Sequence, residues 1–143
     1  MNSSMGLAEV LYAASKIKDK NKQIIHLQKH STKMLKEIIG LCYDPRVQWR
    51  LPPGKPPYRA LPKASDAQGV LKAEMRKMAI FVENPQYKDL SPLKRETQFV
   101  QLLESIDCDD AEMLCSIKDR KMPYKNLSKD LMKEAFPGIS QGW

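Results

Sequence analysis

The stretch "LSPLKRETQFVQLLESID", residues 90–107, decides the fold class. Ser91 stands where a helix N-cap belongs, and Pro92 takes the first helical position, where a missing N–H costs nothing. Phe99, Leu102, Leu103 and Ile106 then recur at steps of three and four, which puts them on one face of an α-helix.

The same spacing extends outward in both directions. Toward the N-terminus, Leu7, Val10, Leu11 and Ala14 form one helical face, and Ile24, Ile25 and Leu27 supply a second after a polar break at residues 18–22. Met34, Leu35, Ile38, Ile39, Leu41 and Cys42 form a wide stripe, with Ser31 or Thr32 as N-cap and Asp44-Pro45 as its stop. Ser65 or Asp66 is placed to open a helix through Val70, Leu71, Met75, Met78, Ala79 and Val82, expected to be the longest in the chain. Toward the C-terminus, Asp107, Asp109, Asp110 and Glu112 begin a helix that Lys118, Arg120 and Lys121 end, the charge order that the helix dipole favours. A last helix, "LSKDLMKEAF", stops at Pro137-Gly138. No stretch alternates with period two between hairpin turns, so the expectation is all-α: a single helical domain over residues 1–143, of about six or seven helices.

Composition narrows the function classes. A chain of 143 residues fits one core and buries about two-thirds of its unfolded surface. No apolar run approaches the roughly 18 residues of a membrane span, and the start lacks a basic region ahead of its apolar positions, so neither a membrane anchor nor a signal peptide is expected. Cys42, Cys108 and Cys115 are odd in number and lie within apolar helical patterns, which suits buried, reduced thiols. The net charge of +7 is concentrated: residues 1–72 carry 13 Lys or Arg against 5 acids, residues 73–143 carry 11 against 12. A polyanion would meet the first half; a solvated basic face is the plainer explanation.

Residues 44–64 read as a Pro-rich basic connecting loop. Within it, "RVQWRLPPGKPPYRALPK", residues 46–63, holds five prolines and five cations with Trp49 and Tyr58. The prolines stiffen the loop, so its cations lose less freedom on binding. Arg46, Arg50, Lys55, Arg59 and Lys63 are candidates for phosphate contact, and Trp49 and Tyr58 for packing against sugar, base or the domain itself. Two other uses stay open: a rigid connector anchored by Trp49, and display of "PPGKPPYR" as a proline-rich ligand to a protein.

Catalytic constellations are weak. His26 and His30 share a helix face, yet "HLQKH" lacks the glutamate of a metallohydrolase and brings Lys29 instead. The aspartates at 107, 109 and 110 are explained by capping, and no calcium-loop spacing, phosphate-cradling Gly-rich loop or nucleophile elbow is present. The chain is expected to be non-enzymatic, without metal or cofactor.

Two segments carry a resemblance. "MLKEIIGLCYDPRVQWRLPPG" and "FVQLLESIDCDDAEMLCSIKDRKMPYKNLSKDLMKEAFPGI" look like the N-terminal helical DNA-binding domain of phage ATP-dependent DNA ligases of the T-even type, over roughly residues 7–139. Tyr43, Asp44, Pro45 and Arg46 match that family's aromatic-bearing loop after a leucine-rich helix; Lys118, Asp119, Arg120, Phe136, Pro137 and Gly138 match its later helix pair. The resemblance implies a module that grips duplex DNA phosphates around a nick. It adds Lys118, Arg120, Lys121 and Lys125 to the candidate contacts. The Lys-x-Asp-Gly motif of ligase catalysis and the domain that carries it are missing, so the implied protein is a freestanding binding module; separately, "KMPYKN" stands where the family uses a glycine for close backbone approach to phosphate. Its expected setting is the host cytoplasm or a virion, with a phage or host replication or transcription protein as a further partner. The alternative is a phage protein-interaction or virion component on the same scaffold, docking through the proline loop and "PGISQGW".

Overall fold

The computed structural model describes residues 6–62 and 70–143. The expected caps at Lys63-flanking positions Ser65 and Asp66 lie outside the described residues. Among those described, eight α-helices follow one another: α1 Leu7–Ser15, α2 Lys20–Lys29, α3 Lys33–Tyr43, α4 Val70–Glu74, α5 Met78–Phe81, α6 Pro92–Leu103, α7 Cys108–Lys118 and α8 Lys129–Ala135. None is long and apolar enough to cross a membrane. The fold is all-α. Counting α4 and α5 as one interrupted segment leaves seven helical units.

Local chemistry sets most of the ends. Thr32 Oγ1 accepts from the Leu35 N–H at 3.1 Å, Ser91 Oγ from Lys94 at 3.2 Å and Ser128 Oγ from Leu131 at 3.1 Å, each satisfying a donor that a helix start leaves open. Asp107 Oδ2 accepts from the Asp109 and Asp110 N–H groups and so caps α7. Pro92 occupies the first turn of α6, as its sequence position requires.

The segment expected to be the longest helix is instead broken. α4 ends at Glu74, a 3-10 turn covers Met75–Lys77, and α5 carries on for four residues. Met75 of the turn and Met78 and Phe81 of α5 are all buried, so the interrupted segment keeps its apolar side on the core. The longest described helix is α6, of 12 residues.

α7 is the central element. It packs on α1, α3 and α6, and its buried set spans most of its circumference: Cys108, Asp110, Ala111, Met113, Leu114, Cys115, Ile117 and Lys118. α2 packs against α1 and α8 on one side, while Phe81 of α5 meets Phe99 of α6 edge to face at 5.1 Å on the other. In α2 the expected apolar face is corrected: Ile25 is 62% exposed, and Gln23 is buried in its place with Nε2 donating to the Ala14 carbonyl at 3.1 Å. His26 Nε2 lies 3.2 Å from the Val10 carbonyl and ties α2 to α1, and its ring lies tilted, 4.6 Å from that of His30 at the end of the same helix. Cys42, Cys108 and Cys115 are buried and outside any disulfide, and burial pushes the Cys42 thiol up to about 11.

Candidate nucleic-acid interface

Residues 44–62 leave α3, cross to the end of α5, and return over α6 and α7. The Asp44 carboxylate turns the chain by accepting the Arg46 backbone N–H at 2.9 Å and pairing with its guanidinium. This side-chain bond to Arg46 holds the Asp44 carboxyl below its ordinary range, against a smaller upward push from burial. Trp49 is half-buried and donates Nε1 to the Leu41 carbonyl at 3.0 Å. Its backbone forms an antiparallel bridge with Val82, closed by Arg50 N–H to Phe81 O at 2.8 Å and Glu83 N–H to Gln48 O at 2.6 Å. Trp49 is thus the anchor that a rigid connector needs.

The C-terminal end of α7 straps the rest. Lys118 Nζ donates to the Pro52 carbonyl at 2.8 Å and to Asp119 Oδ1 at 2.7 Å. Asp119 in turn accepts the Gly54 N–H at 3.1 Å through Oδ2. Gly54 sits at φ +91°, in the left-handed region where glycine is unstrained, and this lets its N–H face the carboxylate. Burial pushes the Asp119 carboxyl up, but Lys118 and the Gly54 N–H outweigh it, so its pKa is lowered overall. Further along, Glu112 Oε2 takes Lys55 Nζ at 2.5 Å and the Tyr58 hydroxyl at 3.2 Å, and Glu104 Oε2 accepts the Arg59 N–H at 2.9 Å.

Nine cations were expected to face phosphate, and the structure separates them. Arg46, Arg50, Lys55 and Arg59 project from the strapped loop, exposed; Lys121 and Lys125 are exposed on the turn after α7. Arg46 pairs with Asp44, Arg50 with Glu83 at 3.3 Å and Lys55 with Glu112; such surface pairs are weak and screened by salt, so their cations are free to exchange onto another anion. Two assignments are corrected. Lys118 is only 4% exposed and spends its ammonium on the loop carbonyl and Asp119. Arg120 is half-buried and its guanidinium donates to the carbonyls of Asp44, Leu41 and Val47 at 2.6, 3.3 and 3.2 Å. Both hold the loop rather than present charge. Lys63 lies outside the described residues.

The sequence does not reveal that Glu104, Glu112 and Asp119 fasten the loop: Glu112 reads there as a helix-start acid, and the contacts lie 45 to 65 residues away. Asp119 alone left a trace there. An acid beside the C-terminus of a helix opposes the dipole, which suggests a tertiary partner. Asp107, Cys108 and Asp109 bring donor atoms within 4.8 Å of one another, but the Asp107 carboxylate is already engaged as the α7 cap, and no metal is assigned to them.

No curated protein matches the chain, and no solved structure matches it. Residues 10–124 match a described family, and that span takes in the whole strapped loop, all of α7 and the exposed Lys121. The chain therefore belongs to the family of unknown function DUF6433.

Proposed function

We propose that the protein is a non-enzymatic module that binds duplex DNA without sequence preference, by contact of loop and turn cations with phosphates. The observation that carries this reading is a stiff loop tied down at Trp49, Pro52, Gly54 and Arg59, from which Arg46, Arg50, Lys55 and Arg59 stand out into solvent. A fixed backbone with mobile cationic tips binds a regular array of phosphates at low entropic cost. Lys121 and Lys125 extend the cationic surface past α7. The resemblance to ligase DNA-binding domains belongs to the same proposal and adds a preference for nicked duplex in phage DNA metabolism.

Fluorescence anisotropy on intact and nicked duplex across a salt series tests it. Six exposed cations imply a slope of log affinity on log salt of roughly −5. The Arg50→Glu, Arg59→Glu double variant should abolish binding. Affinity that ignores salt, or that survives the double variant, overturns the reading.

A second reading, docking of a protein, has one observation in its favour. An apolar groove of about 650 Å³ lies between Pro52–Pro57 of the loop and α6, and Leu93 at its edge is 74% exposed. Trp143, the other expected docking residue, is half-buried and packs near Tyr43 at 6.3 Å. A Leu93→Asp variant that leaves the DNA salt series unchanged but abolishes capture of a protein would favour the second reading.

A further inference from the structure

On the side of α7 that faces α1, this basic chain has an acidic cavity of about 530 Å³, between the start of α1, the first two turns of α7 and the turn at Pro123 and Tyr124. Carboxylates of Glu9, Asp107, Asp109, Asp110 and Glu112 line it. The other acids are engaged elsewhere. Glu9 Oε1 accepts the Gly6 N–H, Asp107 caps α7, and Glu112 holds Lys55 and Tyr58.

Asp110 is different. It is 1% exposed, its Oδ1 accepts the Ala8 N–H at 3.0 Å, and its Oδ2 is buried with no hydrogen-bond partner. A buried carboxylate with half its acceptor capacity unused is costly unless a positive charge sits near it. Burial raises the Asp110 carboxyl to about 6; Asp107 and Asp109 add to the rise, while the Ala8 N–H and Lys72 oppose it, so the group is anionic at neutral pH.

The walls indicate which cation fits. Tyr12 and Tyr124 meet edge to face at 6.4 Å and form the aromatic side of the cavity. Lys16 Nζ already stands 5.1 Å from the centroid of the Tyr12 ring, an ammonium resting on one of these aromatic walls. A hard divalent ion prefers six or more oxygens and has no use for aromatic faces, whereas an alkylammonium or guanidinium uses carboxylate and ring together.

We propose that this cavity binds an organic cation, an alkylammonium or guanidinium group, with Asp110 as its anionic floor and Tyr12 and Tyr124 as its aromatic walls. The site is separate from the loop cations and does not depend on the DNA reading. Its ligand is either a Lys or Arg side chain of a partner or a free polyamine, which share the same chemistry.

The test is an amide NMR titration of the full chain at constant ionic strength, near pH 7.5, with N-acetyl-lysine amide, N-acetyl-arginine amide, putrescine and MgCl₂ as separate probes. The Ala8 amide, which donates to Asp110, and the Tyr124 resonances are the reporters. Saturable shifts at both with an organic cation are expected, weakened about tenfold or more in Asp110→Asn and on lowering the pH to about 5. Tighter binding of the amino-acid amides than of putrescine assigns a partner's side chain; the reverse assigns a polyamine. Tyr124→Leu, which keeps the carboxylate, should also weaken binding several-fold and serves if Asp110→Asn does not fold. Saturation by Mg²⁺ alone, absence of saturable shifts with every organic probe, or binding unaffected in both variants overturns the proposal.

Discussion

The Asp110→Asn substitution should stabilise the protein at neutral pH and lose that advantage in acid. In the folded chain the Asp110 carboxyl titrates at about 6, against 3.8 for the exposed group, with burial as the main cause. Between those values the folded state holds a proton that the unfolded chain has released, so stability falls as pH rises from about 4 to 6 and the full penalty is present above that. A gap of about two pKa units corresponds to about 3 kcal/mol. Asparagine is neutral at every pH and keeps an oxygen for the Ala8 N–H, which now bonds Asp110 Oδ1 at 3.0 Å. Its NH₂ takes the place of the unpartnered Oδ2 and costs about 1–2 kcal/mol as an unsatisfied donor. The net expectation is a gain of about 1–2 kcal/mol near pH 7.5 and no gain near pH 4.5. Urea unfolding followed by far-ultraviolet circular dichroism at the two pH values reads this directly. Equal destabilisation at both would refute the reasoning, because it would mean that the ionised carboxylate is already compensated within the fold, where Lys72 is the cation that favours its charged form.

Three further expectations concern packing and the loop. Lys118→Met keeps the buried stem but strips the Pro52 carbonyl and Asp119 of their donor; stability should drop by about 1–2 kcal/mol, and exchange of the Gly54 amide hydrogen should accelerate by more than the global loss explains. Arg120→Ala should cost about 1–3 kcal/mol in denaturant unfolding, and Arg120→Lys should not restore it, because three carbonyls in a fan need the planar fork of guanidinium. Arg120 also sits at φ +63°, so Arg120→Gly should lose roughly 0.5–1 kcal/mol less than Arg120→Ala. Phe99→Ala removes a ring that is 2% exposed and packed on Phe81, for a loss of about 3–5 kcal/mol with an unchanged denaturant slope.

The reach of the sequence follows the range of the forces involved. Helix starts at Thr32, Ser91, Asp107 and Ser128 depend on a side chain and a backbone N–H two or three residues away, so they are visible in the chain itself. The same holds for the stripes that bury Leu7, Val10, Leu11 and Ala14 in α1 and Phe99, Leu102 and Leu103 in α6. The interruption at Met75–Lys77 was harder to see, because a stripe at 71, 75 and 78 fits a continuous helix as well as it fits a 3-10 turn. Gln23 went to the interior because α2 meets the C-terminal end of α1, where its amide bonds the Ala14 carbonyl, and Ile25, two positions on, falls on roughly the opposite face, toward solvent.

What the sequence by itself determined is the class of fold, the order of helices and the presence of a stiff cationic loop, since periodicity, caps and prolines act within a few residues of where they stand. Tertiary structure alone decided which cations remain available. Lys118 lies 66 residues from Pro52, and Arg120 lies 76 from Asp44, so whether each serves as a staple or a free charge depends on a contact that only folding creates. The same is true of Asp110, 102 residues from the Ala8 N–H it accepts: on the chain it is one capping acid among several, and α1 packing against α7 makes it a buried anion with an unused oxygen. Charge is written in the sequence, but its exposure is a property of packing, and exposure determines whether that charge holds the fold or meets a partner.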